Sequence, residues 1–426
     1  MKKLSLLISF IVVINLNATT MDELFKALKQ QPATKIDELS SKMANIAEDK
    51  TKAGYYPEAN MFANYTHYNS ATNLRPLDPL AAAKLIAKNE PLPFSNTIEQ
   101  IGVGVHIPVF VKELGDLSKK AKYLAKSARL KKELNFYQQE ALVLGANASL
   151  EYLENLVLTL KKTKKSLQKT RDDLEISVNS GRMPGISLDK IDEKINQLDI
   201  NINNLFIKKA TLVSAIENLT GLEIKKPAKM HLVTDVQKGE IFALKPLQEI
   251  INASNSDFEA SFAKRYYPKV SFDLMWSENY AQDDVLYGQS VHRGYGYYRL
   301  GVSMPLYSRG EDIDMQLKKV EIMRDRMKLR KTEQELKSQA KALQKELILL
   351  SKSKKLKQLN IQKREDLLKF AKLSFSQGRM SEEDYLVYED KVLSAISSYY
   401  ETVSQKWQVI AKLAVIYGND LRGVVR

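Results

Sequence analysis

Apolar residues along this chain follow two periods that alternate in blocks. Val270, Phe272, Leu274 and Trp276 are separated by Ser271, Asp273 and Met275, and Tyr298, Leu300, Val302 and Met304 by Arg299, Gly301 and Ser303. Ile101, Val103, Val105 and Ile107 alternate with Gly102, Gly104 and His106. Ala59, Met61, Ala63 and Tyr65 alternate less cleanly with Asn60, Phe62 and Asn64. Period two predicts four strands, each with one apolar face. Elsewhere the spacing is three and four: Leu130, Leu134, Tyr137, Ala141, Leu144 and Ala148, then Leu153, Val157, Leu160, Leu167 and Leu174. That spacing predicts amphipathic helix. Only Gly115 and Gly145 interrupt residues 112–177, which lack Pro, and residues 311–375 contain neither Gly nor Pro. Residues 112–177 as one helix would extend about 99 Å at ~1.5 Å per residue. Such length implies a coiled coil or helical tube, and the interruptions at Lys164 and Arg171 imply that one face meets water.

The blocks also repeat. Gly54-Tyr55-Tyr56-Pro57 resembles Arg265-Tyr266-Tyr267-Pro268 at an offset of 211 residues. Three further pairs stand 197 apart: His106-Ile107-Pro108-Val109-Phe110 with Ser303-Met304-Pro305-Leu306-Tyr307, Ser180-Gly181-Arg182-Met183 with Gln377-Gly378-Arg379-Met380, and Thr220-Gly221 with Tyr417-Gly418. A constant offset predicts two tandem copies of one unit. The change of offset places 14 extra residues in the first copy, expected in a loop at 77–93. Each copy reads as a helical stretch, two strands, a very long helix, a tight turn and a return helix ending at Gly, the return helices covering about 187–220 and 381–417. The expected divisions are a signal at 1–18, an N-terminal helix at 19–54, strand hairpins at 55–110 and 265–307, and helical hairpins at 111–221 and 308–418. A linker with a short helix is expected at 222–264 and a tail at 419–426.

Composition narrows the classes. The 426 residues include 17 Gly and 12 Pro, together about 7% against roughly 12% in ordinary proteins. Few breakers exclude a sandwich, a propeller or an α/β enzyme with frequent turns. With no Cys, disulfides, thiolate metal sites, a Cys nucleophile and a lipidated N-terminal Cys are excluded. His67, His106, His231 and His292 lie far apart without ligand spacing, and neither a GxxxxGK[ST] loop nor a nucleophile constellation occurs. No catalytic residue, metal or cofactor is expected, and the chain reads as a non-enzyme. The formal charge of +14 admits nucleic acid, a membrane surface or acidic partners, but Lys interleaved with Glu reads as a solvated surface.

Residues 1–18 decide the compartment. Lys2 and Lys3 precede an apolar run from Leu4 to Leu16 that ends at Asn17-Ala18, as in a secretory signal. An exported chain is not expected to bind nucleic acid. No other apolar run reaches the ~18 residues of a spanning helix, so any membrane crossing falls to the strands. Runs of about ten residues suit tilted membrane strands, and Tyr65, Tyr68, Trp276, Tyr280, Tyr295, Tyr297, Tyr298 and Tyr307 cluster near their ends like an interfacial girdle. Four strands cannot close a barrel, and lipid tolerates no open edge, so this reading requires an oligomer; a trimer would have about twelve strands. Soluble hairpins packed on helices, within a periplasmic structural coiled-coil scaffold that has no pore, remain the alternative.

At these motifs the sequence resembles the TolC family of outer-membrane efflux channels over essentially the whole mature chain. The residues that carry the likeness are the opening Thr20-Met21-Asp22-Glu23-Leu24, Tyr56-Pro57 and Tyr267-Pro268, and the strand ends Ile107-Pro108-Val109-Phe110 and Met304-Pro305-Leu306-Tyr307. The tip patterns from Gly181 to Leu188 and from Gly378 to Leu386 complete it. The resemblance implies a mainly α fold with a membrane β part: two tandem repeats and four strands per protomer, forming a trimeric twelve-stranded barrel on a periplasmic α-helical coiled-coil barrel. It implies a passive homotrimeric conduit in outer-membrane lipid, docked to a periplasmic adaptor (membrane fusion) protein and an inner-membrane pump of RND, ABC or MFS type. Drug efflux, metal efflux and type I secretion all fit. Carried over by position, it nominates Ser180, Gly181, Arg182, Gln377, Gly378 and Arg379 as adaptor-docking tips. Asp384 is nominated for a periplasmic gate, with Glu382 and Glu383 as substitutes because Val387 stands at the second acidic position and Ser187 where the first repeat commonly has Asp. Arg182 and Arg379 are expected near enough to Asp384 to pair with it in a closed state. The tail after Gly418 would form only a minimal belt.

Overall fold

A computed structural model describes residues 19–426, so the expected signal at 1–18 lies outside the described residues. The chain divides into two units. One comprises the N-terminal residues to Leu39 with Leu130–Lys245 and Lys331–Arg426; the other comprises Ser40–Arg129 and Pro246–Arg330.

The duplication is visible in the element order. Strands β1 (Glu58–Asn73) and β2 (Phe94–Phe110) are followed by helices α4 (Lys112–Asn179) and α5 (Ile186–Thr220). Strands β3 (Lys269–Ala281) and β4 (Val291–Ser303) are followed by α7 (Arg309–Ser376) and α8 (Glu382–Tyr417). Helices α4 and α7 each have 68 residues. Before these blocks come α1 (Met21–Leu28) and α2 (Pro32–Ala53) in the first copy and α6 (Lys245–Tyr266) in the second. Two short helices, α3 (Pro79–Ala87) and α9 (Leu421–Val424), complete the set.

In the first unit the helical spacing becomes a set of apolar seams. Leu144, Ala148 and Leu150 of α4 join Ile216 of α5, Ile410 and Ala414 of α8, and Met21, Leu24, Phe25 and Leu28 of α1 in one buried cluster. Farther along α4, Leu153, Val157, Leu160, Leu167 and Leu174 meet Ile191, Leu198 and Ile202 of α5, with Phe375 and Tyr385 from α7 and α8. The opening Thr20-x-x-Glu23 is a capping box: the Thr20 hydroxyl accepts the Glu23 N–H at 3.3 Å, and the Glu23 carboxylate accepts the Thr20 N–H at 2.9 Å.

In the second unit the four strands form one antiparallel sheet in the order β1-β2-β3-β4. Helix α6 is tied to the first turns of α4 and α7 by ion pairs. Asp257 receives Lys120 at 2.8 Å and Lys318 at 3.3 Å, and Arg265 meets Asp312 at 3.1 Å.

Several boundaries differ from the sequence expectation, each for a local reason. The single helix expected at 19–54 is broken between Leu28 and Pro32, because Pro lacks an N–H and is accommodated at the start of a helix rather than inside one. The loop expected at 77–93 contains α3, opened by Asp78, whose carboxylate accepts the Ala81 N–H at 2.8 Å, and by Pro79 in the first turn. The linker's short helix has 22 residues and runs past 264 to Tyr266. Strand β4 ends at Ser303, so Met304 lies outside it. The tail, expected as a minimal belt, is short but packed. Leu421, Val424 and Val425 are buried in the first cluster, and Val425 bridges Leu232.

Candidate functional site

Two features carry the functional argument: the faces of the sheet, and the turns between the long and return helices.

Register makes the period-two pattern continuous across four strands. Met61, Val103 and Trp276 stand in one row. Val105, Leu274 and Tyr298 form the next, then Ile107, Phe272 and Leu300, and Val270 with Val302. Most of these side chains are exposed, from 39% for Leu274 to 78% for Tyr298. Trp276 lies flat across β4 because Gly296 is its partner there; a Cβ at Gly296 would come 2.7 Å from the indole. The opposite face is mostly polar, with Phe62, Met275, Tyr295 and Tyr297 set among its polar side chains. It carries Asn60, Asn64, Gln100, His106, Ser271, Asp273, Ser277, Arg293 and Arg299. His106 Nδ1 meets Asp273 at 2.6 Å, Arg299 meets the other Asp273 oxygen at 3.2 Å, and Gln100 donates to the Ser277 hydroxyl at 3.2 Å. One face therefore suits hydrocarbon and the other water. Among the described residues β1 and β4 each keep one unpaired edge.

The two turns share one backbone solution. Gly181 and Gly378 have φ of +72° and +70°, a conformation that costs other L-residues about 1–2 kcal/mol. In the first turn the Arg182 N–H donates to the Ser177 carbonyl and the Gly181 N–H to that of Val178, both at 2.9 Å. In the second, Arg379 donates to Ser374 and Gly378 to Phe375, again at 2.9 Å. These are paired Schellman closures. Ser180, Gly181, Arg182, Gln377, Gly378 and Arg379 are all exposed, so the six nominated tip residues lie at the outer ends of the two hairpins.

The acidic residues of the second turn have separate environments. Asp384 is exposed in the first turn of α8. Its N–H donates to the Ser381 hydroxyl at 3.1 Å, and its carboxylate accepts from that hydroxyl at 2.6 Å. This placement complements the helix dipole. Among the described residues no ion pair joins Asp384 to Arg182 or Arg379 within one chain. Glu382 is buried and lies 3.8 Å from Lys190 of α5; Glu383 is exposed and lies 4.0 Å from the same amine. Val387 is exposed and Ser187 is buried.

Sequence reasoning missed the bracing behind the turns. Tyr385 is fully buried and stacks on Phe375 at 5.1 Å with a 10° interplanar angle. Its hydroxyl donates to Glu389 at 2.8 Å, and the Ser166 hydroxyl of α4 approaches the same carboxylate at 3.3 Å. Burial pushes the Glu389 carboxyl above its ordinary range. The spacing Tyr385, Val392, Ala395 would have placed the tyrosine on an apolar seam; nothing marked Glu389 as buried.

No protein-family model matches the chain, and no curated protein sequence matches it either. Solved structures do. The outer membrane protein VceC from Vibrio cholerae aligns over 93% of this chain and 96% of its own at 14% identity and a TM-score of 0.77. The Campylobacter jejuni CmeC outer membrane channel aligns over 95% and 85% at 13% identity and 0.74. The open state of the Neisseria gonorrhoeae MtrE outer membrane channel aligns over 95% and 90% at 14% identity and 0.74. With two repeats, a four-stranded sheet and paired helical hairpins, the chain has the TolC-like fold of these outer-membrane channels.

Proposed function

We propose that this chain is an outer-membrane channel, a passive homotrimeric conduit between periplasm and exterior that serves a tripartite efflux or type I secretion system. The carrying observation is the sheet: one apolar face, one polar face and two unpaired edges. In lipid every backbone donor and acceptor needs a partner, so the edges must be closed by other copies. Pairing β4 of one copy with β1 of the next keeps the antiparallel alternation and closes about twelve strands in a trimer, within the size range of membrane barrels. The polar face then lines water. Energy comes from an inner-membrane pump, reached through a periplasmic adaptor that docks on the exposed tips around Gly181 and Gly378. Asp384, with the exposed Glu383 beside it, lines the periplasmic entrance, where three copies of one carboxylate favour cations; Glu382, buried near Lys190, does not reach it.

Fractionation with native gel electrophoresis tests the channel. A heat-modifiable trimer in outer-membrane extract supports it, and a soluble monomer supports the pore-free scaffold instead. Double substitution of Arg182→Glu and Arg379→Glu abolishes co-purification with the adaptor while leaving the trimer intact; retained binding refutes the docking role. Asp384→Ala lowers cation preference in planar bilayers, and unchanged selectivity removes it from the gate.

A further inference from the structure

Strands β1 and β2 are joined by residues 74–93, whereas β3 and β4 are joined by residues 282–290 only. Both connections lie at the end of the sheet remote from the strand termini that lead into helices. The root of the longer one is fastened over the polar face. Leu74 is buried against Ile98, Ala281 and Val291, and these three continue the polar-face alternation of β2, β3 and β4. The Asn279 amide donates to the Leu74 carbonyl at 2.7 Å, and the Leu74 N–H donates to the Pro93 carbonyl at 2.8 Å. The shorter connection braces this root. Asp284, 4% exposed, accepts backbone N–H groups from Leu286, Tyr287 and Gln289 at 2.9–3.2 Å, and the Val285 N–H donates to the Phe94 carbonyl at 3.1 Å.

From this fastened root the segment carries α3, Pro-Leu-Ala-Ala-Ala-Lys-Leu-Ile-Ala, which is predominantly apolar yet has no buried residue; Leu80 is 68% exposed and Ile86 48%. The root starts this segment on the polar-face side of the sheet, and among the described residues the apolar helix it carries has no cover. Its cover can be lipid or another copy. Lipid is on the wrong side, because the root is seated on the face opposite the apolar rows. Another copy is on the right side. Helix α3 is separated only by residues 74–78 from β1, the edge strand at which the next copy must join. We propose that the α3 helices of the three copies converge over the outer mouth of the barrel and bury their apolar faces on one another, forming an exit plug. It rests on the trimeric-channel reading above and adds a closure at the mouth that the strand connections surround.

The chain has no Cys, so a single introduced thiol reports without background. Ile86→Cys in the full-length membrane protein, oxidised mildly, forms reducible disulfide-linked pairs within the trimer. Arg299→Cys, on the polar face, is labelled several-fold faster by a membrane-impermeant maleimide in intact cells when residues 77–90 are replaced by a short Gly-Ser linker. Native gels of every variant report the trimer independently. Trimers in which Ile86→Cys stays unlinked and Arg299→Cys labels at the same rate with and without the segment overturn the plug and leave the channel standing. Quenching of a dye on Leu80→Cys by brominated lipid also overturns it, by placing α3 in the membrane interface. Absence of any trimer overturns the channel reading and the plug together.

Discussion

The turn after α4 and the turn after α7 have the same backbone, with the same pair of closures around Gly181 and Gly378, yet the return helices that leave them are braced differently. Beyond the first turn, the position 197 residues before Tyr385 is Leu188, which is only partly buried. Beyond the second, Tyr385 is fully buried, stacked on Phe375 and hydrogen-bonded to a buried Glu389. The apolar seam continues in both, but the second hairpin adds a polar lock that reaches across to Ser166 of α4. Duplication thus conserves the turn geometry and leaves its support free to diverge.

The largest test of this difference truncates the two side chains. Tyr385→Ala removes a buried aromatic ring, a change that costs about 3–5 kcal/mol, while Leu188→Ala, at a site already partly open to water, costs about 2 kcal/mol or less. Hydrogen–deuterium exchange of the tip amides measures both. The second tip loses protection far more than the first; equal losses would mean that Tyr385 is not its brace.

The next test moves to the bases of the hairpins, where the copies diverge in charge. Glu140 on α4 is fully buried beneath the tail and accepts the Leu421 N–H at 3.1 Å, with Arg422 at 3.5 Å. Burial, reinforced by the neighbouring Asp420 carboxylate, pushes its carboxyl up to about 8. The corresponding residue of α7, 197 later, is Lys337, exposed and paired with Glu333 at 2.6 Å. For Glu140 the folded state holds a proton that the unfolded state releases at its ordinary carboxylate pKa. Stability from this group is therefore complete at low pH and is lost as pH rises from about 4.5 to about 8. Glu140→Gln keeps the acceptor for Leu421 and flattens that part of the pH–stability profile, so the variant gains most on wild type at and above pH 8. Lys337→Gln changes stability by less than about 0.5 kcal/mol at any pH. Thermal melts across the pH range, with protease susceptibility of the tail, measure both; an unchanged profile for Glu140→Gln would show that the buried carboxyl does not hold the tail.

These contrasts also mark what was legible in the sequence. The strand faces and the turn glycines could be read because each rests on a local rule: alternation needs only neighbours, and a left-handed turn needs Gly wherever the chain reverses. The long helices could be read from the scarcity of breakers in 112–177 and 311–375, within a few residues of their ends at Asn179 and Ser376. Glu140 and Glu389 could not, because a carboxylate on a long helix looks solvated until another segment covers it. For Glu140 that segment is the tail, whose Leu421 lies 281 residues away. The tail was undervalued for the same reason: eight residues are too few to show a pattern, and their burial depends on α1 and α4. Helix α3 was missed because a duplicated template has no counterpart for an insertion.

The smallest expected effects lie at the capping residue just before each return helix, and there the comparison predicts opposite signs. Ser381 caps α8 with extended backbone, φ −70° and ψ 154°, and its hydroxyl accepts the Asp384 N–H. Ser381→Ala removes that cap and costs about 1 kcal/mol. Gly185 leads α5 with φ −58° and ψ −32°, already helical, and makes no side-chain cap. A Cβ there would meet nothing within 4 Å, so Gly185→Ala is compatible with the native backbone and stabilises by about 0.4–1 kcal/mol through the unfolded chain. The same alanine therefore weakens the second tip and strengthens the first. Exchange rates of the amides at 186–190 and 382–386 resolve the two signs. Loss of protection at both tips would show that the first helix start depends on the freedom of its glycine, and that the two turns are more alike than their caps suggest.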